Sequence, residues 1–339
     1  MQIYQTSGSG WGGVVAQLLR DYTVYAPYYR WGHLDYEQVE SATINQIVYF
    51  RAKPTTPLKA FLLPVKELVT KDNGPGEKRI IMGLPACDLR ALHLLDEIYL
   101  HGPFRDPYYT ARREHTILIA CDCQHTQDHC HCTTYDGHPY PDETADIVLS
   151  RVRESNIVLG CSERGIALLR EHEDQLQTLS PDSELYREMW EIRSGVEKDL
   201  SQQNRGLPGT EATARLISGA SESDWEQFAA PCVCCGACTA ACPSCTCFLL
   251  IDQPDFNKIR NLDACQYPGF ERVAAGEDPL KKLARRFRNR YMCKYLWKAA
   301  KFEGLACTGC GRCIEACIGA IDKNEIFTEL ASRTETVSL

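Results

Sequence analysis

Residues 232–243 read CVCCGACTAACP, and residues 307–317 read CTGCGRCIEAC. Each run carries cysteines at C-x2-C-x2-C-x3-C spacing. They are Cys232, Cys235, Cys238 and Cys242 in the first, and Cys307, Cys310, Cys313 and Cys317 in the second. That spacing holds a pair of [4Fe–4S] cubanes when it occurs twice, with the fourth cysteine of each run ligating the other cluster. The expected sets are therefore Cys232, Cys235, Cys238 and Cys317 for one, and Cys242, Cys307, Cys310 and Cys313 for the other. A glycine follows the second cysteine in both runs (Gly236, Gly311). It lets the backbone bend around a cluster and offer N–H groups to sulfur. Pro243 ends the first run, whereas Ile318 stands where a second proline is usual. Zinc is the rival ligand, but it favours two separated C-x2-C knuckles.

The chain has 339 residues, enough for two or three domains, with 44% hydrophobic and 24% charged residues. Its net charge of −8 argues against nucleic acid as a partner. No uncharged stretch approaches the ~18 apolar residues of a membrane span. The N-terminus lacks a basic region and apolar core of the signal-peptide kind, so the cytoplasm is the expected location. Nineteen cysteines form an odd number in short clusters, which suits metal ligation better than a disulfide framework.

Working towards the N-terminus, the residue pattern becomes α/β. Strands are expected at 22–29, 46–51, 61–64, 78–84, 115–120 and 156–160. Helices are expected at 88–99, with Asp88 as N-cap, at 162–170, and at 182–202, with Ser180 as N-cap. Strand–helix alternation predicts parallel strands, with sites beyond their carboxyl ends. Cys87, Cys121 and Cys161 fall at such ends. Polar, glycine-containing stretches at 202–209 and 218–224 suggest a domain boundary. The fold class is thus α+β. An α/β domain with a partly parallel sheet covers 1–200, a linker 201–224, a mainly helical ferredoxin-like dicluster domain 225–325, and a tail 326–339.

Two further cysteine groups stand out. Cys87, Cys121, Cys130 and Cys132 form a candidate third [4Fe–4S] site. Cys87 lies near a helix N-terminus, which favours thiolate. His125, His129 and His131 in the same loop keep zinc as an alternative there, and ordinary reduced thiols are a third. Cys245, Cys247, Cys265 and Cys293 form a candidate fourth iron–sulfur site, with the alternative that they are core residues. Cys123, Cys161 and Cys234 receive no role. The glycines at 8, 10, 12 and 13 do not make a nucleotide-binding fingerprint and read as a flexible turn. A helix at 279–302 has Leu280, Leu283, Phe287, Tyr291 and Tyr295 on its apolar face. It also carries nine Lys/Arg between Lys281 and Lys301 and no acid. That basic run reads either as a solvated face or as a docking surface for an acidic subunit.

Several segments together resemble the electron-transfer β-subunit of soluble sulfhydrogenases and the A subunit of anaerobic sulfite reductases. They are YAPYYRWGHLDYEQV (25–39), GLPACDLRALHLLDEIYL (83–100), DPYYTARRE (106–114), CDCQHTQDHCHCTTYDG (121–137), CCGACTAACPSCTCF (234–248) and CTGCGRCIEAC (307–317). The resemblance implies a subunit without a substrate site of its own. Such a subunit passes electrons between a flavin subunit that binds NAD(P)H and a catalytic subunit, a nickel–iron hydrogenase in one branch and a sirohaem sulfite reductase in the other. The hydrogenase branch is the preferred expectation. The resemblance also supports the cluster reading of Cys87, Cys121, Cys130 and Cys132. Cys293 stands where relatives more often carry His. The competing expectation is a reductase with its own substrate or redox-thiol site in the N-terminal domain.

Overall fold

A computed structural model describes residues 2–51, 53–71, 76–141, 144–302 and 304–337, without the side chains of 334–337. The chain divides into two compact units. The first comprises Met1–Leu62, Asn73–Asp128 and His138–Leu200, and the second Leu63–Asp72, His129–Gly137 and Ser201–Leu339. In chain order the strands are β1 (Gln2–Ser7), β2 (Thr23–Arg30), β3 (His33–Gln38), β4 (Lys66–Leu68), β5 (Arg79–Leu84), β6 (Thr116–Cys121), β7 (Ile147–Val152), β8 (Ser155–Gly160), β9 (Gln177–Thr178), β10 (Phe248–Asp252) and β11 (Lys258–Leu262).

The first unit is built on an eight-stranded sheet of order β3-β2-β5-β6-β7-β8-β1-β9. β2, β5, β6 and β7 run parallel, and the outer pairings are antiparallel. All six residues of β6 are buried, as expected of a central parallel strand covered on both faces. Alternation sends Ile117, Ile119 and Cys121 to one face. There they join Ile80 and Met82 of β5 and Trp11, Val14, Val15 and Leu18 of the helix Gly8–Leu18 in one apolar core.

That helix corrects the reading of the glycine-rich stretch as a flexible turn. A strand, β1, does precede it, and Ser7 caps it by accepting from the Gly10 N–H at 3.0 Å. Gly10 permits the close start, since a Cβ there would lie 2.3 Å from Thr6 Oγ1. The expected strand at 61–64 is also replaced, by the short helix Lys59–Leu62, and 46–51 contains no strand. Asp88 does not cap the helix Ala86–Tyr99. Pro85 holds that position, and Asp88 sits buried in the first turn. The cap of the helix Glu184–Gln203 is Ser183, whose Oγ accepts from the Tyr186 N–H, in place of Ser180.

The sharpest difference concerns Cys161. β7 and β8 form an antiparallel hairpin in which Ile147 opposes Gly160. The end of β8 therefore lies beside the start of β7, at the sheet edge opposite the carboxyl ends of β5 and β6. Cys161 does not share an edge with Cys87 and Cys121. A hairpin and a crossover leave similar traces in a short apolar run, which is why periodicity misplaced it.

In the second unit, the stretch read as a linker folds into the core. The helices Thr210–Gly219 and Glu222–Ala229 bury Ile217, Trp225 and Phe228. The stretch read as a tail forms most of the helix Lys323–Val337, which buries Ile326, Phe327 and Leu330. These pack with Phe287, Tyr291 and Tyr295 around Cys307. Phe327 meets Tyr291 and Tyr295 edge-on, with ring centroids 5.8 and 5.2 Å apart. A three-stranded sheet of order β10-β11-β4 completes the unit, and β10 is exposed along its whole length. Among the described residues no helix is long and apolar enough to cross a membrane.

The first unit contains a buried ion pair between Arg193 and Asp122. Arg193 Nε and Nη2 donate to the Asp122 carboxylate at 2.7 and 3.0 Å, and both residues are buried. Burial pushes the Asp122 carboxyl up, and Arg193 opposes that shift. Arg193→Ala leaves the carboxylate unpaired and is expected to cost about 3–5 kcal/mol at neutral pH. A raised carboxyl pKa in the folded state means stability falls as pH rises through it. The loss is therefore expected to be smaller in acid, as urea unfolding at several pH values would show.

Candidate metal centre

The two cysteine runs fold alike. In each, a glycine with positive φ (Gly236 at +73°, Gly311 at +75°) starts a one-turn helix, Ala237–Ala240 or Arg312–Glu315, that carries the third cysteine. The left-handed conformation is one that only glycine adopts at little cost. Both glycines are also sites of close approach. A Cβ on Gly236 would lie 2.6 Å from the Tyr267 ring, and one on Gly311 would lie 2.5 Å from the His129 carbonyl oxygen. Gly309 is packed equally tightly, against Cys132 N at 2.5 Å. The segment 129–132 thus lies flush on the second cysteine run, a contact not foreseen from the cysteine spacing.

Cys232, Cys235, Cys238 and Cys317 line one cavity, together with Cys234, Cys313, Arg290 and Tyr291. Cys317 reaches it because Gly319 packs against the Pro231 carbonyl, where a Cβ would stand 2.2 Å away. Cys242, Cys307 and Cys310 are buried, whereas Cys235 is exposed. The charge of Cys310 interacts with those of Cys242 and Cys313, and burial pushes its thiol up to about 12 against the pull of Arg312.

The basic run of the helix at 279–302 divides into an exposed and a buried part. The helix is Leu283–Met292, followed by a π-helical turn Cys293–Trp297 and then Lys298–Phe302. Lys281, Lys282, Arg285, Arg288 and Lys301 are exposed, as a solvated face requires, whereas Arg286, Arg290 and Lys294 are 6%, 5% and 4% exposed and belong to no surface. These last three point among the cysteines. Lys294 Nζ donates to Cys242 Sγ at 2.9 Å and to Ser244 Oγ at 3.0 Å. Arg290 Nη2 reaches the Cys238 carbonyl at 3.4 Å, and its charge faces Cys238, Cys313 and Cys245. Arg286 Nη2 lies 3.8 Å from Cys234 Sγ.

A further buried cation comes from another helix. Lys323 is 3% exposed and donates to His131 Nε2 at 2.7 Å. Burial alone would raise the Cys307 thiol, but Lys323, the His131 ring and Lys294 together hold it well below the usual thiol range. Among the described residues, Arg290, Lys294 and Lys323 form no ion pair with a carboxylate. Unpaired buried cations are costly. A thiolate-bound iron–sulfur cluster is anionic, so these residues fit such a group.

The remaining candidates are distributed unevenly. Cys87 and Cys121 belong to the first unit, and Cys130 and Cys132 to the second. Cys121 is the last residue of β6 and lies in the apolar core, where burial pushes its thiol up. The Cys130 carbonyl accepts from Asn204 Nδ2 at 2.8 Å. His131 is fully buried, and its Nε2 is taken by Lys323. His125 is exposed. Of the other set, Cys245, Cys247 and Cys265 come together. The Cys247 thiol donates to Cys265, which lowers Cys265 and raises Cys247. Cys293 begins the π-helical turn, and the charge interactions of Cys247 and Cys265 do not include it.

The family model of the 4Fe-4S dicluster domain matches residues 231–321. The chain carries a 4Fe-4S dicluster domain. Its match begins one residue before Cys232 and ends four after Cys317, so it contains both cysteine runs and the helix between them. The sulfhydrogenase 2 subunit beta of Pyrococcus furiosus is 28% identical over 321 residues, covering 91% of this chain and 92% of that protein. The likeness therefore reaches beyond the dicluster domain into the α/β unit, as the resemblance of the sequence segments implies.

Two glycine substitutions separate strain from mere exposure. Gly311→Ala forces an alanine to +75° against the His129 carbonyl and is expected to destabilise by at least about 1–2 kcal/mol. Gly195 lies in the helix Glu184–Gln203 with nothing within 4 Å of its would-be Cβ. Gly195→Ala is expected to stabilise by up to about 1 kcal/mol. Thermal unfolding of the two variants should shift in opposite directions.

Proposed function

We propose that this chain is an iron–sulfur electron-transfer subunit of a larger redox assembly. In this reading it passes electrons between a flavin subunit that uses NAD(P)H and a catalytic subunit of the hydrogenase type. The observation that carries the reading is the set of buried cations, carboxylate-free among the described residues, that face Cys238, Cys242, Cys307 and Cys313. A protein that kept its cysteines as neutral thiols would have no use for that charge.

When bound, each cubane accepts and releases one electron at a time. The chain's own residues hold and tune it. Cys232, Cys235, Cys238 and Cys317 would ligate one cluster, and Cys242, Cys307, Cys310 and Cys313 the other. Arg290, Lys294 and Lys323 offset the negative charge, and the aromatic wall of Tyr291, Tyr295 and Phe327 keeps water from it. The exposed Cys235 places the first set nearer the surface, the side suited to exchange with a partner, while the second set is interior. Further iron–sulfur sites at Cys87, Cys121, Cys130 and Cys132, and at Cys245, Cys247, Cys265 and Cys293, remain part of the proposal. So does a cytoplasmic location.

Exchange of the fourth cysteine is directly testable. Cys317→Ser is expected to alter the same electron paramagnetic resonance signal as Cys232→Ser, and Cys242→Ser the same signal as Cys307→Ser. Pairing of Cys317 with Cys307 instead would overturn the ligand sets. In the assembled complex, Cys310→Ala is expected to abolish overall turnover and leave flavin-dependent dye reduction intact. Turnover that survives Cys310→Ala would mean electrons do not pass through this domain.

A further inference from the structure

The two cysteine runs are near copies in backbone, but their fourth cysteines meet different donors. Cys317 Sγ accepts from a neutral group, the Ile321 peptide N–H, at 3.4 Å. Cys242 Sγ accepts from the Lys294 ammonium at 2.9 Å. Lys294 is 4% exposed and is held in place from several sides. Its Nζ also donates to Ser244 Oγ at 3.0 Å. The Ser244 hydroxyl in turn bonds the Ala306 carbonyl. Lys298, one turn further on, donates to the Ser244 carbonyl at 2.8 Å and to Thr246 Oγ1 at 3.1 Å.

The π-helical turn Cys293–Trp297 is what lets both lysines serve one side. In an α-helix, residues four apart drift by about 40° per step, because four residues overshoot a 3.6-residue turn. The wider π-turn, closed by i→i+5 bonds, cancels that drift. Lys294 and Lys298 thus continue the inward stripe begun by Arg286 and Arg290. Without the wider turn, Lys298 would swing away from Ser244 and Lys294 would lose its brace.

Resting on the reading of the eight cysteines as cluster ligands, we infer that Lys294 is a positioning residue for electron flow. It raises the reduction potential of the cluster that Cys242 ligates and so makes the two clusters of the domain unequal. Reduction adds one negative charge to the cluster, and a fixed ammonium on a ligand sulfur stabilises that charge. A charge-assisted bond is stronger than a neutral one, and a site with little water screens it less. Hydrogen bonds to sulfur, net charge and exposure are the terms that set such potentials. Burial of Cys242, Cys307 and Cys310 would by itself disfavour the reduced state at this site. Lys294 opposes that effect, whereas Cys317 Sγ accepts from a peptide N–H.

The test is a redox titration of the full chain, purified anaerobically with its iron, followed by electron paramagnetic resonance. The variants are Lys294→Met, Lys294→Gln and Lys294→Arg. With iron retained, the two neutral variants are expected to move one midpoint to lower potential and leave the other in place. The signal that moves should be the one that Cys242→Ser alters. Lys294→Arg, which keeps the charge, is expected to stay near the parent protein. Unmoved midpoints, or equal movement of both, would overturn the inference. So would loss of iron from both neutral variants, since Lys294 would then hold the cluster together and not tune it. Absence of iron from the parent protein would instead defeat the underlying cluster reading.

Discussion

The ammonium of Lys294 on the sulfur of Cys242 is the contact around which the second unit makes physical sense. A lysine buried with no carboxylate is stable only beside a compensating negative charge. The same requirement recurs for Arg290 beside Cys238 and Cys313, and for Lys323 beside Cys307. One helix serves both needs of the unit. Its face of Leu283, Phe287, Tyr291 and Tyr295 closes an aromatic core, and its face of Arg286, Arg290, Lys294 and Lys298 looks onto the cysteines. Removing the metal would leave cations and thiols crowded in a dry site, so metal and fold are expected to depend on one another.

Much of this was legible in the sequence. The spacing of the two cysteine runs pointed to a dicluster domain, and the glycines at 236 and 311 marked backbone positions that need positive φ. Strands β2, β5, β6 and β8 lie within a residue or two of where apolar runs placed them. The helix at 184–203 buries Met189, Val196 and Leu200, as its spacing required. What escaped was governed by partners distant in sequence. Basic residues at 286, 290, 294 and 298 have a period of four, which was there to be read. Charge is normally a sign of exposure, and only a buried anionic neighbour reverses that rule. Cys161 was misplaced because a strand's direction is set by the strand it pairs with. The glycines at 8–13 open a helix because Thr6 and Gln175 crowd its first turns, which no local pattern reveals. The stretches 201–224 and 326–339 are too polar to look like core, yet Ile217, Ile326, Phe327 and Leu330 from them are buried in it.

The first unit is a different kind of object. Its sheet is held by apolar contacts and by the Asp122–Arg193 pair next to Cys121, and among its described residues the buried cations are Lys53, Lys59 and Arg193. Its likeness to a sulfhydrogenase subunit is carried by the whole chain and not by the dicluster domain alone. In the proposed assembly the two units thus divide the work, with electron storage and tuning concentrated in the cysteine-rich one.

The most direct measurement is iron, acid-labile sulfide and zinc per chain on protein purified without oxygen. The account predicts at least about 8 iron and 8 sulfide per chain, with about 4 more of each for every further filled site. Zinc in place of iron at the two cysteine runs, or a colourless protein without labile sulfide, would contradict it.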